Sequence, residues 1–370
     1  MRFPGFTDEW EVKKLGEIAL FSKGKGISKS DIEEDGVTEC IRYGELYTYY
    51  DEIIDEIKSK TNVNPSTLAL SEENDVIIPA SGETKIDIAT ASCVLKAGVA
   101  LGGDLNIIKT DNNGVFLCYY LNSKKKMEIA SLAQGNSVVH LYSSQLATLS
   151  VSLPEKEEQK RISSILALID RRIQAQNKII EELKLLKNTI RHQLFTQIVN
   201  IENRLVHVRD VLNFEQPSKY LVLNTDYSSD IYLIPVLTAN KAFILGYTNE
   251  DFGIYDKGEC IIFDDFTMDA KFVNFPFKVK SSAIKILTAK PNMNLKFIFE
   301  YLSFYNLSFV EHKRHYISQI EPMQISLPSY DKQCRIVRIL AGIERKMKNE
   351  FEMHILLIKQ KQYFLANLFI

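Results

Sequence analysis

The sequence predicts an α+β fold made twice: two globular mixed α/β domains, each followed by a long helix, with the two helices pairing antiparallel as a coiled coil. Three observations predict it. LPEKEEQKRISSILALIDRRI from Leu153 returns as LPSYDKQCRIVRILAGIERKM from Leu327, at an offset of 174 residues. Each copy opens a long stretch almost free of helix breakers, with apolar residues at alternating 4 and 3 spacing. The segments before each copy carry short β-branched and aromatic runs separated by turn residues. The architecture is a pseudo-twofold internal repeat: 1–152 globular, 153–199 helical, 200–326 globular and 327–370 helical.

The first globular segment contains strand-like runs in DVIIPASGETKIDIA and ALGGDLNIIKT, then a polar–aromatic helical patch, VFLCYYLNSKKKMEIASLA. Tyr47, Tyr49 and Tyr50 in LYTYYDEII are read as strand packing, and the lysine run at 124–126 as a solvated helix face. The helix that follows is announced by LSVSLP, an apolar run ending in proline, and by Glu155, Glu157 and Glu158, acids suited to the positive end of a helix dipole. It runs from Glu155 to about Val199 with no Pro or Gly. Its seam is Ile162, Leu166, Ile169, Ile173, Gln176, Ile180, Leu183, Lys187, Ile190 and Leu194.

The second globular segment repeats the pattern more loosely. GEIALF from Gly16 resembles RDVLNF from Arg209, and NDVIIPASGE resembles GECIIFDDFT. Strand-like runs continue in IYLIPVLTANKAFILGYTN and KFVNFPFKVKSSAIKILT, and LKFIFEYLSFYNLSFVEHKR is a second helical patch. The last helix follows MQISLP and runs from about Ser329 to the C-terminus with one Gly342. Its seam is Ile336, Leu340, Ile343, Met347, Glu350, His354, Leu357, Lys361, Phe364 and Leu368. The polar breaks coincide, Gln176 with Glu350 and Lys187 with Lys361, so each helix is expected to pair with the other. Forty-odd residues make a rod on the order of 60 Å. Two amphipathic helices packed on separate cores is the plainer alternative; the length and the lack of breakers oppose it.

The composition is that of a globular protein, 45% apolar and 25% charged. A net charge of −2 gives no global sign of nucleic-acid binding, yet leaves room for a local basic face. Five scattered cysteines without a CxxC pair fit reduced thiols in a cytoplasmic protein better than disulfides or zinc. The N-terminus MRFPGFTDEW has no apolar run behind its charge, and no stretch reaches about 18 apolar residues, so neither a signal peptide nor a membrane partner is expected.

The repeated segment carries a resemblance. Leu153, Pro154, Glu158, Gln159, Arg161, Ile162, Ile165, Leu166, Ile169, Asp170 and Arg171 form an LPxxxEQ start with an R-I-x-x-I-L-x-x-I-D-R continuation. This resembles the specificity subunit of type I restriction-modification systems; Lys332 in place of Glu158 makes the second copy more degenerate. RYGELYTYY from Arg42 and FILGYTNE from Phe243 are similar to variants in such subunits. The resemblance implies a non-catalytic chain. Each globular segment would be a target-recognition domain reading half of a bipartite sequence in double-stranded DNA. The helices would set the spacer and dock two methyltransferase subunits. No cofactor is expected in this chain: S-adenosylmethionine belongs to the methyltransferase, and ATP and Mg to a restriction subunit where the system has one. The chain accordingly shows no Walker A motif and no adenine-methyltransferase signature.

Forked donors and amides suit base edges, and lysines suit phosphates. In the first segment the candidates are Lys23, Lys25 and Lys29 on a Gly-rich loop, Ser81 and Lys85 after a strand, and Gln134, Asn136 and His140 before the shared YxSQ anchor. In the second they are Thr238, Asn240 and Lys241, then Lys271, Asn274 and Lys278, then His312, Lys313 and Arg314 beside His315. For coiled-coil pairing and subunit docking they are Gln159, Arg161, Ile162, Leu166, Ile169, Ile173, Ile180 and Leu183, with Gln333, Arg335, Ile336, Leu340, Ile343, Met347 and Leu357. Two other readings compete. Asp75, Glu83 and Lys85 form a D-x7-ExK string reminiscent of metal-dependent nucleases, absent from the second copy. A coiled-coil scaffold that binds only proteins would need no DNA contact.

Overall fold

The computed structural model describes residue 3 and residues 5–135, 137–202, 204–239, 242–305 and 315–369. The chain divides into two compact units, Met1–Asn177 with Glu352–Ile370, and Lys178–Phe351. Each unit therefore holds one globular segment together with half of each long helix. The central helix spans Lys156–Ile201 and the C-terminal helix Tyr330–Asn367. Every seam position named above is buried or half-buried.

In the first unit a five-stranded sheet has the order Ala19–Lys23, Leu105–Thr110, Asp75–Pro79, Ser92–Val94, Ile53–Ile54. A second sheet orders Ser59–Thr61, Thr38–Ile41, Ala100–Leu101 and Ala69–Leu70, with Ala100 parallel to Cys40. The second unit repeats the plan. Leu212–Glu215, Ile284–Ala289, Cys260–Asp264 and Ala270–Val273 form one sheet. Ile244–Thr248, Ile234–Leu237 and Lys278–Val279 form the other, again with one parallel pair.

The runs before each long helix are strands, Ser150–Leu153 and Gln324–Ser326, each antiparallel to the start of its own domain. GEIALF and RDVLNF both become one helical turn followed by a strand. The helical patches begin at Asn113 and Asn294, whose side chains cap the helices by accepting from Phe116 N at 2.7 Å and Phe297 N at 3.0 Å.

One glutamine per unit ties helix, strand and domain together. Gln159 Oε1 accepts from Asn113 N and its Nε2 donates to Pro154 O, at 3.0 and 2.9 Å. Gln333 makes the same pair of bonds to Asn294 N and Pro328 O, both at 3.0 Å. Phe369 meets Phe116 and Tyr120 at 5.5 and 5.7 Å, as Phe195 meets Phe297 and Tyr301 at 5.3 and 4.9 Å. In both units, then, the end of one long helix closes over the domain at the start of the other, which is the antiparallel arrangement. The cores follow: Ile162, Leu166 and Leu368 join the first, Ile198, Ile336 and Leu340 the second.

Three local expectations differ. KIDI in DVIIPASGETKIDIA is a helix, Lys85–Ile88, because the Thr84 hydroxyl accepts from Asp87 N and caps a turn the strand pattern hid. LYTYY is a turn after the short helix Tyr43–Glu45, with Tyr49 exposed and Tyr50 Oη accepting from Lys58 N at 2.9 Å. The lysine run is less solvated than expected. Lys124 donates to Ala366 O at the end of the C-terminal helix, at 3.2 Å, and Lys125 pairs with Glu128.

Candidate nucleic-acid interface

The strand Asp75–Pro79 has two ends of different character. At its start, Asn74 donates to Thr110 O and Asn112 O and accepts from Gly114 N, next to the Gln159 lock. Five residues on, about 17 Å away along a strand, Ala80 and Ser81 lie at the other end, remote from the central helix. The chain at 134–142 comes back to that remote end. Leu141 N donates to Ala80 O at 3.0 Å, and His140 pairs antiparallel with Ser81. Gln134 and His140 exchange two backbone hydrogen bonds of 2.9 and 2.7 Å. Gly135 beside them has φ 111° and no room for a Cβ, which would lie 2.1 Å from Val138 O.

Side chains converge there. The rings of His140 and Tyr142 lie stacked, 6.4 Å apart, and Lys23 Nζ sits 5.8 Å from the Tyr142 ring centroid. Gln134, His140, Tyr142 and Lys23 are all exposed, and the helix bearing Lys85 lies beside the same short strands. Beyond Lys23, glycines let three loops approach closely. Lys25 N donates to Leu101 O and Gly103 N to Gly26 O, both at 2.8 Å, and a Cβ on Gly24 would fall 1.9 Å from Gly102 O. The cleft between these loops holds about 670 Å³ and is lined by Ser28, Lys29, Arg42, Tyr43 and Asp104 among others. The first unit thus presents amide, imidazole, phenol and ammonium groups on one face, a set suited to base edges, ring stacking and phosphates.

Of the candidates named from the sequence, Lys23, Lys25, Lys29, Lys85, Gln134 and His140 are exposed, and Ser81 is buried where it pairs with His140. Asn136 lies outside the described residues. Sequence reasoning missed Tyr142, Arg42 and Tyr43. Tyr142 could not be singled out, because its repeat partner Tyr316 is fully buried against Phe214 and Phe263, at 5.4 and 5.6 Å.

In the second unit Thr238 closes a hairpin by donating its N–H to Phe243 O at 3.0 Å. Asn240, Lys241, His312, Lys313 and Arg314 lie outside the described residues. Lys271 is half-exposed within its strand and Asn274 exposed just past the strand's end. Lys278 is a different matter. It is fully buried, with Nζ 2.7 Å from Glu250 Oε2 and from Phe252 O and 4.2 Å from the Phe252 ring centroid. A charge so enclosed holds its own domain together and offers nothing to a phosphate. Asp265 receives the chain where Ala80 does in the first unit: its backbone O accepts from His315 N at 2.9 Å, and its Oδ1 accepts from Tyr316 N at 2.8 Å. Lys285 Nζ, 3.4 Å from Asp265 Oδ2, balances that buried carboxylate.

The positions assigned to helix pairing and docking face mostly inward. Gln159, Ile162, Leu166, Ile169, Ile180, Gln333, Ile336, Leu340 and Leu357 are buried, and Ile173, Leu183, Ile343 and Met347 half-buried. Packing inside each unit uses them, so a partner could reach only exposed neighbours such as Arg161 and Arg335. The nuclease string is split. Asp75 is buried beside Lys109 at the start of its strand, while Glu83 and Lys85 are exposed beyond the far end. No group of metal-ligating side chains occurs among the described residues, and no helix among them is long and apolar enough to cross a membrane.

The family profile described as Type I restriction modification DNA specificity domain matches residues 7–185. That span takes in the exposed face, the Gln159 lock and most of the central helix. Residues 7–185 thus match the type I restriction-modification specificity family. The specificity subunit of the type I restriction enzyme EcoR124I/EcoR124II of Escherichia coli is 44% identical over 153 residues, 38% of each chain. The type I restriction enzyme MjaVIII specificity subunit of Methanocaldococcus jannaschii is 28% identical over 191 residues, 51% of this chain and 43% of that one. These alignments span less than half the length of the curated relatives. The type I restriction-modification S subunit of M. genitalium shares the fold over 100% of this chain and 99% of its own, with a TM-score of 0.71 at 14% identity. A chain from a structural study of type I restriction-modification complex assembly matches with a TM-score of 0.54 at 16% identity, over 97% of each. The fold of that S subunit therefore extends over both units of this chain, although the profile reaches only the first.

Proposed function

We propose that this chain is the DNA-recognising subunit of a type I restriction-modification system. Each unit reads one half of a bipartite target in double-stranded DNA, and methyltransferase subunits dock on the helices. The carrying observation is what the two units share and what they do not. The locks repeat: Gln159 with Gln333, Phe369 with Phe195, Asn113 with Asn294. Where described, the remote ends differ, with an exposed Lys23–Tyr142–His140 cluster in one unit and Tyr316, the repeat partner of Tyr142, fully buried in the other. A constant frame with two different faces suits a protein that reads two different sequences. Exposed apolar side chains on the outward helix faces, Leu168 and Leu356 in the first unit and Leu185 and Ile339 in the second, support docking of protein partners. The chain itself catalyses nothing on this reading; S-adenosylmethionine would reside in the methyltransferase, and ATP and Mg in a restriction subunit.

The test is to co-express the chain with its methyltransferase and map N6-methyladenine in the host DNA by single-molecule sequencing. Two short specified blocks around a fixed gap are expected. Co-purification without any split motif would overturn the reading and leave a protein-binding scaffold.

A further inference from the structure

The polar breaks in the two helix seams are the clearest features that the packing alone leaves unexplained. Lys361 and Lys187 occupy repeat-related positions. Each makes the same kind of three-way tie. Lys361 Nζ, on the C-terminal helix, lies 2.8 Å from Asp170 Oδ1 on the central helix and 3.1 Å from Glu52 Oε2 on the globular domain. Tyr119 Oη, from the domain helix, donates to the other oxygen of Asp170 at 2.5 Å. In the second unit the roles of the helices exchange. Lys187 Nζ, on the central helix, lies 2.6 Å from Glu344 Oε1 on the C-terminal helix and 3.0 Å from Glu300 Oε1 on the domain helix. Lys296 reaches Glu344 at 3.1 Å, and Arg191 reaches the other Glu300 oxygen at 3.0 Å.

An apolar pair at these positions would pack the helices at least as well, since buried ion pairs are a poor source of net stability. Their value lies in direction. A half-buried charge placed between two acids has few positions it can occupy, and here the two acids belong to different bodies, the opposite helix and the globular domain. Apolar contacts slide; a lysine held between carboxylates on two sides resists both a register shift of the helices and a swing of the domain upon them. The recognition face lies at the far end of the domain sheet, about 17 Å of strand beyond the helix-proximal end. A small rotation at the clamp therefore becomes a displacement on the scale of a hydrogen bond at the face.

We propose that Lys361 and Lys187 are positioning residues for recognition, each fixing the aim of its own domain's face and so the stringency with which one half-site is read. This rests on the reading that each unit reads one half-site.

The test uses the full chain with its methyltransferase subunits in cells, with adenine methylation mapped genome-wide. Lys361→Met should raise methylation at sites mismatched in one block by about ten-fold relative to the perfect site, the order of one forked base contact, with the other block still strictly read. Lys187→Met should relax the opposite block. Lys361→Arg and Lys187→Arg, which keep the charge, should retain the parent motif. Glu52→Gln cuts only the tie to the domain and should relax the same block as Lys361→Met. A split motif that survives both Met variants and Glu52→Gln unchanged overturns the proposal, and so does uniform loss of methylation at every site in both Lys361→Met and Glu52→Gln. A wild-type chain that directs no split motif at all overturns instead the reading beneath it.

Discussion

Gln159 and Gln333 show how much one side chain can do when it is buried with all its partners. Each joins a helix cap, the proline before its own helix and the domain. Gln159→Ala would leave Asn113 N and Pro154 O without partners in a dry place. A cost of about 1–3 kcal/mol per stranded group is expected, read as a lower midpoint in urea with an unchanged slope. The carboxyl groups of the clamps give a pH signature. Burial would raise Glu344, but Lys187 and Lys296 overrule it and hold it below its usual 4.5. A depressed native pKa contributes stability that is present above 4.5 and lost as pH falls through the native value. Glu344→Gln should therefore lower the melting temperature at pH 7, and the gap should close as the pH drops below 4.5. Asp170 has the opposite sign. Burial raises it above 3.8 despite Lys361 and Tyr119, so its contribution is full below 3.8 and is lost as pH rises through the native value.

Among elements, the two long helices carry the information most economically. Their seams alternate burial as a coiled coil does, and the lysine breaks in them, Lys187 and Lys361, are ion clamps, not faults. Leu166 and Leu340 are repeat-related and fully buried where helix meets domain core. Leu166→Ala and Leu340→Ala should each cost about 2–5 kcal/mol, and the measurement is calorimetric unfolding of the full chain. Shared cost at matched positions is the energetic counterpart of the repeat. The strands were readable as apolar runs between turns, yet KIDI was misread because one threonine cap outweighs a weak alternation over four residues.

For the molecule as a whole, net charge says little: it is −2, while Lys23 and Lys29 stand exposed on the first domain. On the proposed function, binding of the assembled complex to its target should weaken steeply with salt. Lys29→Ala should reduce the slope of log K against log salt by about 1 and weaken all sequences alike. His140→Ala should instead relax a single half-site at unchanged slope. Fluorescence anisotropy on matched and mismatched duplexes at several salt concentrations separates the two. Equal effects of both substitutions would place His140 on the phosphate backbone.

The sequence by itself determined the duplication, the helix pair and its seams, because those features are periodic and a fixed offset of 174 residues exposes them twice. It also bore the family resemblance, carried by Gln159 and its neighbours, whose inward bonds explain why the motif has that spacing. What the tertiary structure alone decided is which polar groups remain free. Lys278 reads as a candidate contact and is spent on Glu250; Tyr142 and Tyr316 read alike and end on opposite sides of the surface. Burial of a polar side chain depends on partners brought from distant segments, such as the 26 residues that separate Lys278 from the Phe252 carbonyl it meets. No local pattern in the chain records that encounter.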